Sequence, residues 1–374
     1  MIPLSLYVHF PWCVRKCPYC DFNSHTLKAP IDEVSYIQHL LEDFRHDYDG
    51  RPIHSIFMGG GTPSLFSAQS IKALLAGLRQ EADFETDCEI TLEANPGTSE
   101  QAKFSGYREA GVNRLSIGVQ SFDPRQLHIL GRIHDTHEAE RAIALAMEVG
   151  FQRINVDLMF ALSEQTPAEA LFDIQQAAQY PIEHLSWYQL TLEPNTAFYK
   201  NPPPLPDTDT QHDIFEQGSA LLRALGFQQY ETSAWTRQNP SRHNLNYWQY
   251  GDYIGIGAGA HGKQTHNGII TRSHKFPAPA RYQSPIGTFK NPYIAQSFTV
   301  PKEEQAFEFM MNALRLKEGV LREILEQRTQ LSIDELQSAL SPLIAQKLMQ
   351  NDTKRFVTTD LGFAHLNHVI EQFL

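Results

Sequence analysis

Six strand-like stretches alternate with helical ones over residues 4–235. The strands are LSLYVHF (4–10), SIFMGGG (55–61), EITLEAN (89–95), RLSIGVQ (114–120), RINVDLM (153–159) and HLSWYQL (184–190). Helical periodicity separates them, as in SYIQHLLEDF (35–44), IKALLAGLRQ (71–80) and HEAERAIALAMEVG (137–150). Such alternation builds a parallel sheet with helices outside it. Six successive units predict a partial (β/α)6 TIM-like barrel in preference to a Rossmann sheet, and in either architecture ligands sit at the carboxyl ends of the strands. Here those ends carry three cysteines, Gly59–Gly61, Glu93, Gln120 and Asp157, residue types suited to chemistry.

The repeat stops after about residue 236. PPPLPDTDT (202–210) reads as a Pro-rich loop leading into a helix, and 235–262, rich in Asn, Gly and aromatics, reads as an irregular, site-forming segment. From 303 helical patterns return (LREILEQR, SIDELQSAL, PLIAQKLMQ), followed by KRFVTTDLGFAHL, which suggests a hairpin turning at Asp360–Gly362. The expected organisation is a core over 1–235, a connecting segment over 236–302 and a winged-helix-like α+β module over 303–374.

Composition narrows the function classes. The chain of 374 residues is 41% hydrophobic and 20% charged, ordinary for a globular protein. No apolar run approaches a membrane span, and MIPLSLYVHFPWC lacks the layout of a secretory signal, so the expected location is the cytoplasm. An integral membrane protein is not expected; peripheral contact with a membrane stays open. Formal charge is −12, against a general nucleic-acid binder. Residues 302–374 hold 8 basic and 11 acidic residues, and the helix PLIAQKLMQ offers only Lys347 to phosphates. That module reads as a cover or docking domain.

Cys13, Cys17 and Cys20 lie in CVRKCPYCDF at spacings of three and two residues. In a cytoplasmic chain this argues for metal or redox chemistry, not disulfides. A zinc site would need a fourth ligand, for which His9 or His25 could serve. An iron–sulfur cluster held by three thiolates would keep one iron open to a small molecule. Cys88, ahead of a strand, reads as an ordinary buried thiol.

The spacing C-x3-C-x2-C with Tyr19 before the last cysteine resembles the radical S-adenosylmethionine (SAM) superfamily, and GGGT (59–62) resembles its glycine motif. The resemblance implies a [4Fe–4S] cluster on Cys13, Cys17 and Cys20, a reductant for it, and SAM chelated at the open iron. YVHFPWC, GGGTPS, EANP, GVQSF, LGRIH, HLSWYQLTLEPNT and GDYIGIGAGAHG together resemble the branch holding oxygen-independent coproporphyrinogen III dehydrogenases and HemW-type heme chaperones. By motif position, Tyr7, Tyr19, Gly60, Gly61, Glu93, Gln120, Arg132 and Asp157 would line the SAM pocket. A carboxylate can accept from amino or ribose hydroxyl groups, and Arg132 can hold a carboxylate bidentately. One departure stands out. DLMFALS has Ala161 and Ser163 where the family carries Gly and Pro, so a turn needing positive φ would be strained at Ala161.

Within that branch, radical oxidative decarboxylation of coproporphyrinogen III competes with heme binding and delivery to an acceptor haemoprotein. The dehydrogenases carry a further cysteine where this chain has Phe22, and an extension ahead of the first strand, whereas here the strand starts almost at once. RHNLNYW (242–248) matches the H-N-x-x-Y-W motif associated with heme in the chaperones. There His243 and Asn244, with Tyr247 and Trp248 as flat apolar surface, would meet the heme. These features favour the chaperone.

Overall fold

A computed structural model describes residues 1–97 and 101–374. Twelve strands form one sheet: β1 (Leu4–Phe10), β2 (Ile53–Gly60), β3 (Phe84–Ala94), β4 (Arg114–Gln120), β5 (Arg153–Phe160), β6 (His184–Gln189), β7 (Gln228–Glu231), β8 (Ala234–Thr236), β9 (Asp252–Ile256), β10 (His261–His266), β11 (Ile269–Lys275) and β12 (Ile294–Thr299). Their order is β12-β11-β10-β9-β1-β2-β3-β4-β5-β6-β8-β7. The run β9-β1-β2-β3-β4-β5-β6 is parallel throughout. Antiparallel strands extend it at both ends. The six expected strands are all present, and together with their helices they form the partial barrel.

Local chemistry explains the elements. Leu4, Leu6, Val8 and Phe10 of β1 are buried, as is Ser5 between them. Burial on both faces is what a central parallel strand requires. Asp32, Ser67, Asp135 and Thr166 cap the helices Glu33–Asp47, Ala68–Glu81, Thr136–Glu148 and Pro167–Ala178, the last two through reciprocal bonds with Glu138 and Glu169. Each such cap stabilises its helix by about 1 kcal/mol.

Two expectations need correction. Residues 235–262 are regular: helix Arg242–Trp248 is followed by β9, which lies parallel to β1 with Leu4 opposite Asp252. Their glycines permit close approach of backbones. An added Cβ at Gly255 would collide with the His261 carbonyl, and Gly257 has φ +101°. The extension is tied back by a buried ion pair in which Lys275 Nζ reaches Asp43 Oδ1 at 2.5 Å and Asp47 Oδ2 at 2.6 Å.

The C-terminal hairpin does not turn at Asp360–Gly362. Those residues open the helix Asp360–Ala364, whose Gly362 N–H donates to the Thr359 cap. The reversal comes earlier, where Met349 bridges Thr358 and Gln350 N–H donates to the Val357 carbonyl. Arg355–Phe356 then pairs with Val320–Leu321. The C-terminal helices bury Phe309, Met310, Leu325, Leu340, Leu343 and Phe356 in a second core that Tyr250 and Ile270 join. No helix among the described residues is long and apolar enough to cross a membrane.

Candidate functional site

The carboxyl ends of β1 to β6 surround a cavity of about 470 Å³. Cys13, Cys17, Cys20, Tyr19, Gly60, Gly61, Glu93, Gln120, Arg132 and Asp157 all line it. Tyr7 does not. It lines a second cavity next door, and its hydroxyl lies 3.0 Å from His9 Nδ1.

The cysteine loop leaves β1 and folds back on itself, with Cys20 N–H donating to the Cys17 carbonyl. All three thiols are free; Cys13 is buried and the other two half-buried. Burial raises the Cys13 and Cys20 thiols. Arg132 Nη1 donates to Cys17 Sγ at 3.7 Å. Among the described residues no three His, Cys, Asp or Glu side chains are gathered to hold a single metal ion. Three thiols lining one cavity suit a cluster in which each thiolate binds its own iron. Cys88 is buried in the main core, and burial pushes its thiol up to about 12. Such a thiol is inert.

The glycine loop after β2 is shaped for close approach. Gly60 has φ +112°, and an added Cβ would lie 2.5 Å from His9 Cε1. Its N–H donates to Glu93 Oε2 at 3.2 Å. Glu93 and Asp157 are the electrostatic heart of the cavity. Burial, then the neighbouring Asp157, pushes Glu93 up to about 8. Burial also raises Asp157, although Asn155 Nδ2 donates to its Oδ1 at 2.8 Å and Ser116 Oγ to its Oδ2 at 3.2 Å. Two buried carboxyls crowded at one wall favour a positively charged ligand. Opposite charge is also provided for: Arg132 Nη2 donates to Asn95 Oδ1 and to the Gly118 carbonyl, both at 2.7 Å, which leaves Nη1 to the thiol side. Gln120 sits at φ +73°, and its Oε1 accepts from the Tyr188 hydroxyl at 2.6 Å. A non-glycine residue held in that region costs of order 1–3 kcal/mol and marks ligand sites. This donor set suits a zwitterion with an added positive charge, as SAM is, beside a thiolate-held cluster.

Sequence reasoning did not single out Asn95, Ser116, Ser186 or Tyr188, all of which line the cavity. Asn95 follows Glu93 in the EANP motif and Tyr188 lies in HLSWYQL, so their places near strand ends were the available signal. Ala161, on the loop after β5, has φ +55° and is buried. The turn geometry is thus kept despite the missing glycine.

The H-N-x-x-Y-W segment differs from its expected form. His243 belongs to a helix, is 1% exposed, and has both ring nitrogens engaged: Nδ1 lies 3.0 Å from Ser55 Oγ and Nε2 lies 2.8 Å from the Tyr247 hydroxyl. Burial lowers its imidazole to about 3. Glu89 of β3 accepts from Ser241 Oγ and from the N–H groups of Arg242 and His243, anchoring the helix N-terminus. Asn244 N–H donates to the Ser241 cap. Trp248 packs against the C-terminal core with the Arg315 guanidinium 4.4 Å over its ring. Of the four, Tyr247 alone lines the second cavity. In this structure, then, hydroxyl groups sit against both ring nitrogens of the buried His243.

A partial barrel with three thiols after its first strand and glycines after its second is the architecture of radical SAM proteins. The family model "Radical SAM superfamily" matches residues 7–175, and "HemN C-terminal domain" matches 300–365. Within the superfamily, the chain belongs to the HemW family. It is 48% identical to heme chaperone HemW of Haemophilus influenzae and 48% identical to that of Escherichia coli, in each case over 100% of this chain and 98% of the relative. It is 34% identical to heme chaperone HemW of Lactococcus lactis, over 100% of this chain and 97% of the relative. Among solved structures, coproporphyrinogen III oxidase (HemN) from Escherichia coli shares the fold, with TM-score 0.82 and 23% identity over 100% of this chain and 90% of that one.

Proposed function

We propose that this chain is a heme chaperone, taking up heme and passing it to an acceptor haemoprotein, and that it carries a [4Fe–4S] cluster and SAM. The observation that carries this reading is the end-to-end 48% identity to proteins named heme chaperone HemW, which includes the barrel, the extension and the C-terminal module. Cys13, Cys17 and Cys20 are the cluster ligands in this reading. When bound, such a cluster would be able to supply an electron to SAM. The chain's own residues do the positioning. Gly60 and Gly61 let the ligand approach backbone. Glu93 and Asp157 face its positive charge, Arg132 its carboxylate, and Gln120 and Tyr188 add neutral hydrogen bonds.

The second cavity, about 790 Å³, is the proposed place of heme. Lys16, Phe22 and Ser24 wall both cavities, so heme there would adjoin the cluster site. Phe22, 61% exposed, offers a ring at a position where the dehydrogenases carry a thiol. The test is an anaerobic assay of cluster-loaded protein with coproporphyrinogen III, run beside a heme titration. Saturable uptake near one heme per chain with no decarboxylation is expected. Turnover of coproporphyrinogen III with no specific heme uptake would overturn the reading.

A further inference from the structure

Four histidines line the second cavity: His9, His25, His261 and His274. Their ring nitrogens are differently engaged. His9 has one nitrogen near the Tyr7 hydroxyl and the other 2.8 Å from the Asn23 carbonyl. His25 Nε2 lies 3.2 Å from Asn23 Oδ1 and 3.3 Å from the Pro277 carbonyl. Among the described residues, the His261 and His274 side chains make neither hydrogen bond nor ion pair. They face each other directly across β10 and β11, with rings stacked 4.2 Å apart at 15°. Burial lowers both imidazoles, and the neighbouring His274 and Arg272 lower His261 further. An imidazole whose nitrogens have no hydrogen-bond partner keeps a ring lone pair available to a metal.

A bare ion would need more ligands than this pair, and no group of three is gathered among the described residues. Heme iron arrives with four porphyrin nitrogens and needs only axial ligands. Tyr247 and Tyr253, in edge contact at 4.6 Å, line the same cavity and offer aromatic surface to a porphyrin. We propose that the His261–His274 pair, and not His243, supplies the imidazole that binds heme iron in the second cavity. The proposal rests on the heme-chaperone reading and names the iron ligand within it. Ring centroids 4.2 Å apart leave no room for a porphyrin between them, so one ring binds iron and the other stacks on it. With only one imidazole from this chain, the iron would keep room for a ligand from the acceptor, as suits a cargo that must be handed on.

The experiment is a ferric heme titration followed by difference absorption and electron paramagnetic resonance, with cluster-loaded wild type, the double variant His261→Ala/His274→Ala, and His243→Gln. His243→Asn replaces His243→Gln if that variant does not fold. Iron–sulfur content reports folding. The double variant should lose the imidazole signature and bind heme about tenfold or more weakly, with free imidazole restoring the signature. The variant at 243 should keep it. An unchanged signature and affinity in the double variant would overturn the proposal, as would loss of the signature in folded His243→Gln alone. If wild type itself takes up no heme, the chaperone reading fails, a result distinct from either.

Discussion

The Gly60 amide donates to Glu93 Oε2 at 3.2 Å, tying the glycine loop after β2 to a carboxyl at the end of β3 that burial and Asp157 push up to about 8. The folded protein therefore holds a proton there that the unfolded chain, with an ordinary carboxyl near 4.3, has released. Between those values the folded state binds more protons, so this group's contribution to stability falls as pH rises from about 4.3 to 8. Glu93→Gln should flatten that part of the curve in cluster-free protein, read from urea midpoints at pH 5 and pH 8. A cationic ligand beside the ionised carboxylate should displace the proton. SAM binding at pH 7 should then release protons, seen by calorimetry in two buffers of different ionisation enthalpy, and Glu93→Gln should remove most of the release. A buffer-independent enthalpy for wild type would count against the proposed contact.

The thiols divide into three that face the cavity and one that does not. Reconstituted protein should hold about four iron per chain, and Cys13→Ala, Cys17→Ala or Cys20→Ala should each lose the iron and its visible absorption. Cys88→Ala should keep both at a stability cost of about 1 kcal/mol. Full iron content in any of the first three variants would remove that cysteine from the ligand set.

Ala161 at φ +55° sets backbone strain against side-chain burial. Left-handed backbone costs a non-glycine residue about 1–2 kcal/mol. Ala161→Gly would relieve that, lose about 0.8 kcal/mol of methyl burial and add about 0.5–1 kcal/mol of unfolded-state entropy. These nearly cancel, so the variant should lie within about 0.5 kcal/mol of wild type. Ala142→Gly, in the buried face of helix Thr136–Glu148, has no strain to relieve and should cost about 1.5–2 kcal/mol. Denaturant unfolding of the two side by side checks this. Equal costs would mean that Ala161 is unstrained.

What was legible in the chain was what spacing alone encodes. Strand–helix alternation gives the barrel and places Cys13, Gly60, Glu93, Gln120 and Asp157 near strand ends, because sequence neighbours there are also structural neighbours. The strained turn at Ala161 followed from one residue type in one position. β9 was not legible: GDYIGIGAGA has the glycine content of a loop, and only its place beside β1 makes a strand of it. The state of His243 depends on Ser55 and Glu89, more than 150 residues away in the chain, as the stacking of His261 on His274 depends on the β10–β11 register. Tyr7 and Trp248 went to unexpected places for the same reason. Which cavity or core a side chain enters is decided by elements that local spacing does not see.

His243 is held as a neutral, buried imidazole between Ser55 and Tyr247, and this has a consequence that requires no heme. Removing the ring leaves a cavity and strips the Tyr247 hydroxyl of a partner, so His243→Ala should cost about 2–4 kcal/mol in heme-free protein. Any loss of heme binding in that variant must be read against its lower melting temperature. The pH dependence has a definite sign. Burial lowers the folded imidazole to about 3, while the unfolded one titrates near 6.5. Between those values the unfolded chain binds more protons, so this histidine's contribution to stability is complete above about 6.5 and is lost progressively as pH falls toward 3. His9, lowered to about 4, and His134, lowered to about 3, act in the same direction. His243→Gln should therefore reduce the acid sensitivity of the urea midpoint between pH 7 and pH 5 without abolishing it. A slope identical to wild type would mean that His243 titrates normally in the folded protein.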